Sequence, residues 1–191
     1  MSSAISLVNR HTDATQALIL TTAVQQLEDT GVNGVTVRAV AKKAGISERT
    51  IFRYYASRDE FLDAVAAEAA RSMETPAPPA TIDELLDYAG PLYRRFEERA
   101  GLVQAALHTE IFGRIRQVVA QERWQAVRAL IDQHAVHRSE SSRKIAATNI
   151  SYYLSATTWH YYRYQFELSL EDAIESATCV VNLVVDDIAK E

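Results

Sequence analysis

The sequence predicts an all-α chain in two helical parts, and three observations carry that reading. Apolar residues recur at three- and four-residue steps, and no stretch alternates with a period of two. Side chains able to cap a helix stand where several of these stripes begin. Three of the four prolines crowd into Thr75-Pro76-Ala77-Pro78-Pro79-Ala80, and proline removes the amide donor that a helix needs. The expected divisions are a loose arm at 1–12, a first domain at 13–73, a proline-rich linker at 74–81 and a second helical domain at 82–191.

The elements follow in order. Asp13 is expected to cap a helix running to about Thr30, with Ile19, Ala23 and Leu27 on one stripe and Leu20 and Val24 beside it. Gly31 and Gly34 bracket a short loop. Thr36 opens a second helix whose inward positions are Val37, Val40, Ala41 and Ala44. Gly45 ends it, since glycine tolerates positive φ. Ser47 caps a third helix of about seven residues, and Ser57-Arg58-Asp59-Glu60 is a capping box for a fourth running to about Met73. Thr81-Ile82-Asp83-Glu84 is a second capping box. Beyond it helices are expected near 82–99, kinked at Pro91, and near 102–111, 114–137, 140–165 and 170–189, the last capped by Ser169.

Composition bounds the function. The 191 residues are 48% hydrophobic, enough for one large or two small cores. A formal net charge of −5 argues against a non-specific nucleic-acid coat. The cations are nonetheless concentrated: Arg38, Lys42, Lys43, Arg49, Arg53 and Arg58 face Glu48 alone within 36–58. Cys179 is the single cysteine, so no intrachain disulfide or cysteine-rich metal site is possible. Its place in an apolar run predicts a buried, inert thiol. MSSAISLVNRHTDA lacks a charged start followed by a long apolar region, and no apolar run is long enough to span a bilayer. A reducing, cytoplasmic setting away from membranes is expected.

The stretch AKKAGISERTIFRYY, residues 41–55, explains the local basic charge. Ala41 and Ala44 are small where two helices must cross closely, Gly45 permits the turn, and Ile46 and Ile51 fill the angle. That is a helix-turn-helix. With its inside accounted for, its polar residues lie outside. Arg49 and Arg53 share a face. Glu48 and Thr50 flank Arg49 at the end that such helices push into the major groove, and Ser47 precedes them. Arginine can bond guanine bidentately. Tyr54 is placed to reach a backbone phosphate. Thr36, Arg38, Lys42 and Arg58 are placed to clamp phosphates from both sides.

From Gly31 to Leu62 the order of residues resembles the DNA-binding domain of the TetR (tetracycline-repressor-like) family of bacterial transcription regulators. The likeness covers roughly 13–72, including the Thr-Val-Arg start, the Ala-Gly-Ile-Ser turn and the Ser-Arg-Asp-Glu cap. The resemblance implies a homodimer on a near-palindromic double-stranded operator, and a C-terminal domain that dimerises and binds a small effector. It places the phosphate-binding threonine at Thr36 and the base-reading positions at Glu48, Arg49, Thr50 and Arg53. It places the backbone-contacting aromatic at Tyr54, and Arg58 stands where the family carries a lysine after the turn. Two residues depart from the family pattern: Phe52 stands where tyrosine is frequent, and Tyr55 where phenylalanine is frequent. A buried Tyr55 needs a partner for its hydroxyl.

In the second domain the last helix carries a wide apolar stripe, Leu170, Ala173, Ile174, Ala177, Val181, Val184 and Ile188, broadened by Val180 and Val185. Such a stripe suits packing on its own domain with one side and on a partner subunit with the other. Ile174, Ala177, Val181, Val184 and Ile188, with Tyr152, are the expected dimer contacts. Aromatic residues around a helical cavity suit a flat or apolar ligand, and Tyr93, Phe96, Phe112, Trp124, Tyr153 and Trp159 are the candidates. His134 and His137 lack a supporting third ligand and read as a solvated pair. His108 and Glu110 have no nucleophile beside them. No phosphate-cradling loop or GxSxG is present, so no catalytic residue, metal or cofactor is assigned. The expected function is a DNA-binding transcription regulator, a repressor relieved by an effector. The alternative is an all-α small-molecule-binding protein whose helix-turn-helix no longer works.

Overall fold

The computed structural model describes residues 2–30, 35–109, 111–115 and 120–190; side chains of 2–13 and of Phe112 lie outside that description. Among the described residues every regular element is a helix, and none is long and apolar enough to cross a membrane. The expected loop at Gly31 and Gly34 and the residue Glu110 lie outside the described set.

The chain forms two compact units. The first combines Met1–Ser72 with Gln104–Ile115. Its helices are α1 (Ser2–Thr30), α2 (Val37–Ala44), α3 (Glu48–Tyr54) and α4 (Arg58–Met73), with α8 (Ile111–Ile115). Two expectations need correction. Helix α1 begins at Ser2, where an arm through residue 12 was expected: no glycine or proline interrupts 2–12, so nothing stops the helix from extending. Residues 104–115 join the first unit although they lie beyond the linker. The Arg114 guanidinium bonds the Asp59 carboxylate at 2.7 Å and the Asp63 carboxylate, both on α4, and Ile111 and Ile115 are buried.

The first core is built from the expected stripes. Ile19, Ala23 and Leu27 of α1 are fully buried, as are Val40 of α2, Ile51 of α3, and Phe61, Leu62 and Val65 of α4. Tyr55 is also buried, edge-on to Phe61 with ring centroids 5.5 Å apart. Its hydroxyl has no well-formed hydrogen bond. Burial pushes that hydroxyl's pKa up, and the Gln16 side chain opposes the rise only in part.

The second unit combines Met73–Val103 with Arg116–Glu191. It holds α5 (Ile82–Leu86), α6 (Ala89–Glu98), α9 (Gln121–His134), α10 (Glu140–Tyr153), α11 (Ala156–His160) and α12 (Leu170–Ala189); α7 (Ala100–Leu107) spans the division. Where one helix kinked at Pro91 was expected, two helices meet at Asp87–Tyr88. Proline at 91 cannot donate to the carbonyl four residues back, which is that of Asp87, so the break falls one turn upstream of the proline. The expected helix 140–165 is also divided. Ser155 caps α11 by accepting from the Thr158 amide at 3.2 Å, and Thr158 Oγ1 donates to the Tyr152 carbonyl at 2.6 Å. Tyr161–Gln165 then forms a π turn, closed by Phe166 N–H to the Tyr161 carbonyl at 2.9 Å.

The proline-rich stretch is irregular, as its composition predicts, and it is pinned down. The Tyr88 hydroxyl donates to the Pro76 carbonyl at 2.8 Å, Arg95 Nε donates to the Met73 carbonyl at 2.7 Å, and Pro79 is buried.

Candidate nucleic-acid interface

The turn at Gly45 sets the geometry. Its φ is 68°, its amide bonds the Lys42 carbonyl at 3.3 Å, and the Ile46 amide bonds the Ala41 carbonyl at 3.0 Å. This pair of bonds closes α2 and satisfies carbonyls that a helix end leaves open. A Cβ added at Gly45 would meet nothing within 4 Å, so the requirement for glycine is conformational and not steric.

Two of the expected contact residues are caps. Thr36 Oγ1 accepts from the Ala39 amide at 3.1 Å and opens α2; Ser47 Oγ accepts from the Thr50 amide at 3.1 Å and opens α3. The Ser47 and Thr50 hydroxyls are 2.9 Å apart. At the head of α4, Ser57 Oγ accepts from the Glu60 amide at 3.1 Å, as the capping box predicts, while Glu60 Oε2 accepts from the Ala56 amide at 2.7 Å, one residue before the cap.

Because Val37, Val40, Ala41 and Ile51 point inward, the polar residues of both helices are brought to the surface. Thr36, Arg38, Lys42, Ser47, Glu48, Arg49, Arg53 and Arg58 are exposed, and Thr50 and Tyr54 are half-buried. Arg53 lies over the Tyr54 ring, 5.2 Å from its centroid, and its guanidinium reaches the Tyr54 hydroxyl at 3.5 Å. The Tyr54 hydroxyl is held below its ordinary pKa first by a hydrogen bond with Thr15 of α1 and then by Arg53. Lys43 is drawn away by Asp29 at 2.5 Å. Phe52 is 45% exposed on α3, an apolar group beside the cations.

In the second unit the candidate ligand residues come together in part. Tyr93, Phe96 and Trp159 are buried; the Tyr93 and Phe96 rings are 6.2 Å apart, and those of Phe96 and Trp159 are 5.9 Å apart. Tyr93 donates its hydroxyl proton to the Tyr153 carbonyl at 2.6 Å. Trp124 and Tyr153 are half-buried, and the Phe112 side chain is outside the described set. Glu97 accepts from Trp159 Nε1 at 3.2 Å and from Arg163 at 3.0 and 2.8 Å. These bonds, Arg163's first, hold the Glu97 carboxyl below its usual range.

One residue of this region was missed. Arg123 of α9 is buried and close to Tyr88 and Tyr93. The signal was available: Arg123, Val127, Ile131 and Ala135 stand four apart, so the arginine lies in register with a buried stripe.

The dimer candidates divide by face. Ala177, Val181 and Ile188 are buried in the chain's own unit, and Ala173 and Val185 complete that stripe. They are therefore unavailable to a partner, which corrects the expectation. Ile174 and Val184 are half-buried, and Tyr152 is 57% exposed. The open face of α12 is a shallow groove over Ile174, Thr178, Cys179, Asn182 and Leu183, with Leu183 62% exposed. Cys179 is exposed, contrary to expectation, because two residues beyond Ala177 is roughly the opposite side of a helix. Of the two histidines, His137 bonds the Lys190 carbonyl at 2.9 Å.

Comparison with known proteins agrees with this architecture. The family model for the bacterial regulatory proteins of the tetR family matches residues 19–65, which run from α1 through the helix-turn-helix into α4. No curated protein matches the chain. A crystal structure from Pseudomonas aeruginosa PAO1, of a protein with the provisional name of transcriptional regulator, superposes with a TM-score of 0.66 at 17% identity over 92% of each chain. At that identity the likeness bears on the fold alone. With the helix-turn-helix, its caps and the family match on the same residues, the segment 19–65 is similar to the DNA-binding domain of the bacterial regulatory proteins of the tetR family.

Proposed function

We propose that the protein is a homodimeric bacterial repressor that reads a near-palindromic operator in the cytoplasm and is released by a small molecule. The observation that carries this reading is the sorting of α2 and α3: every large apolar residue but Phe52 is turned inward or half-covered, and the cations stay outside. A motif kept only for packing has no use for that charge. Arg49, Arg53, Glu48 and Thr50 would read base edges from the major groove, with Ser47 at the helix start. Arg38, Lys42, Arg58 and Tyr54 would hold the backbone on either side. Thr36 can do both of its jobs, since its oxygen accepts from Ala39 while its own proton stays available for a phosphate oxygen.

A dimer is supported by the open face of α12, where Leu183 and Ile174 lie beside the Asn182 Oδ1, which is buried and lacks a hydrogen-bond partner. The two reading helices would sit about one DNA turn apart, roughly 34 Å. An effector held in the second unit would act by binding the non-DNA arrangement more tightly, because equal affinity for both states shifts nothing. The aromatic cluster of Tyr93, Phe96 and Trp159 supports such a ligand role.

The test begins by sequencing the DNA fragments that the purified protein retains from a random pool. A near-palindromic consensus is expected. Recovery of no consensus, at low and at moderate salt, would overturn the reading. Calorimetric titration of a released effector with and without operator then checks the switch: each must weaken the other by the same factor.

A further inference from the structure

Arg123 is the one charged side chain among the described residues that is buried, at 6% exposure. No carboxylate partners it among those residues. Arg94, Arg128, Arg143 and Arg163 of the same unit each face an acid. Arg123 meets phenols: it lies beside the Tyr88 and Tyr93 side chains. Both phenols are buried, and both have their protons engaged elsewhere, Tyr88 on the Pro76 carbonyl at 2.8 Å and Tyr93 on the Tyr153 carbonyl at 2.6 Å. Their oxygens are therefore left as acceptors toward the guanidinium. Neither oxygen carries charge, and burial pushes both hydroxyls' pKa up, so neither supplies a phenolate.

A guanidinium out of water costs several kcal/mol unless an opposite charge and good hydrogen bonds offset it. Two neutral oxygens offset part of that cost, and the remaining N–H donors of the fork have the geometry of a carboxylate. The surroundings are apolar. Val127 lies one turn from Arg123, Leu92 lies one turn from Tyr88, both are fully buried, and Phe96 is 6.2 Å from Tyr93.

We propose that the effector is a monocarboxylic acid with an apolar or aromatic body, and that Arg123, set by Tyr88 and Tyr93, binds its carboxylate. The proposal rests on the effector role given to the second unit and names the chemical class of its ligand. A single charge is specified, because a dianion would leave an unbalanced negative charge in the same interior.

Paired probes test it on the full-length chain: benzoate, phenylacetate and octanoate, each against its primary amide at equal millimolar concentration, read by thermal unfolding and by calorimetry. At least one acid is expected to raise Tm while its amide does not. Arg123→Met is expected to keep or raise the ligand-free Tm, since an apolar side chain replaces an uncompensated buried cation. The same variant should lose acid affinity by about tenfold or more. The acid–amide comparison on the wild-type chain needs no variant and stands even if Arg123→Met folds poorly. Equal responses to acid and amide would overturn the anion assignment while leaving an effector site in place. So would unchanged acid affinity in Arg123→Met. Absence of any response to the acids also overturns it, and a neutral compound that releases operator would then show that the effector reading survives alone.

Discussion

At the scale of single residues, Gly45 isolates one physical effect. Nothing stands within 4 Å of an added Cβ and φ is 68°, so Gly45→Ala should cost only the left-handed backbone penalty, about 1–2 kcal/mol. Gly45→Asn should cost less, because asparagine tolerates that region. Chemical denaturation of the two variants checks both the sign and the order. Arg49 and Arg53 give the complementary case: both are exposed and away from the core, so Arg49→Ala and Arg53→Ala should leave Tm nearly unchanged. If they read bases as proposed, each should weaken operator binding by about 1–3 kcal/mol and relax preference at one position per half-site. Unchanged binding in both variants, measured at matched salt, would remove α3 as the reader. Thr36 mixes the two effects. Its oxygen caps α2, so Thr36→Ala should lose stability as well as the proposed phosphate contact, whereas Thr36→Ser should keep both.

At the scale of elements, α12 and the Glu97 bonds make separate predictions. Leu183→Glu puts a charge on the open face without touching the buried stripe. If the protein dimerises through this face as proposed, sedimentation should show a shift from dimer toward monomer, with operator affinity falling alongside. A dimer unaffected by Leu183→Glu would place the subunit contact elsewhere. Glu97 governs an acid response. Its folded-state pKa is depressed by Arg163 and Trp159, so its stabilisation is present above the ordinary carboxylate range and is lost as pH falls from there through the depressed folded value. Glu97→Gln should lower stability near pH 7 by about 1 kcal/mol, the modest figure for a partly solvated pair, and should flatten the acid limb of the stability curve. The elements also differ in how legible they were. The helix-turn-helix was readable because its determinants are local: a glycine at the turn, cap hydroxyls, and alanines at the crossing. Pro91 was visible as a disruption, but its effect falls on the Asp87 carbonyl, one turn away. The π turn at Tyr161–Gln165 has no compositional mark, since an i→i+5 bond asks nothing particular of the side chains. The side of α12 that faces outward was misjudged because a wide apolar stripe fits two rotations, and only the helices packed against it choose between them.

At the scale of the whole molecule, charge separates function from bulk composition. The chain carries a net charge of −5, so the proposed affinity for DNA is local and rests first on the cations of 36–58. Arg58→Ala, at a proposed phosphate contact, should make log affinity against log salt shallower by about one unit while leaving sequence preference intact. A changed base preference with an unchanged slope would contradict that role. Connectivity has a consequence of another kind. Because Gln104–Ile115 returns to the first unit, the polypeptide passes between the units after Ser72, after Val103 and after Ile115. A protease that cuts the exposed Ala77–Pro78 region should therefore nick the protein without liberating a free head: the N-terminal fragment should co-elute with the remainder through its packing against 104–115, and part only in denaturant. By the same token a fragment ending at Met73 lacks the Arg114 clasp on Asp59 and Asp63. It should be purified, studied or grafted only with that helical return supplied.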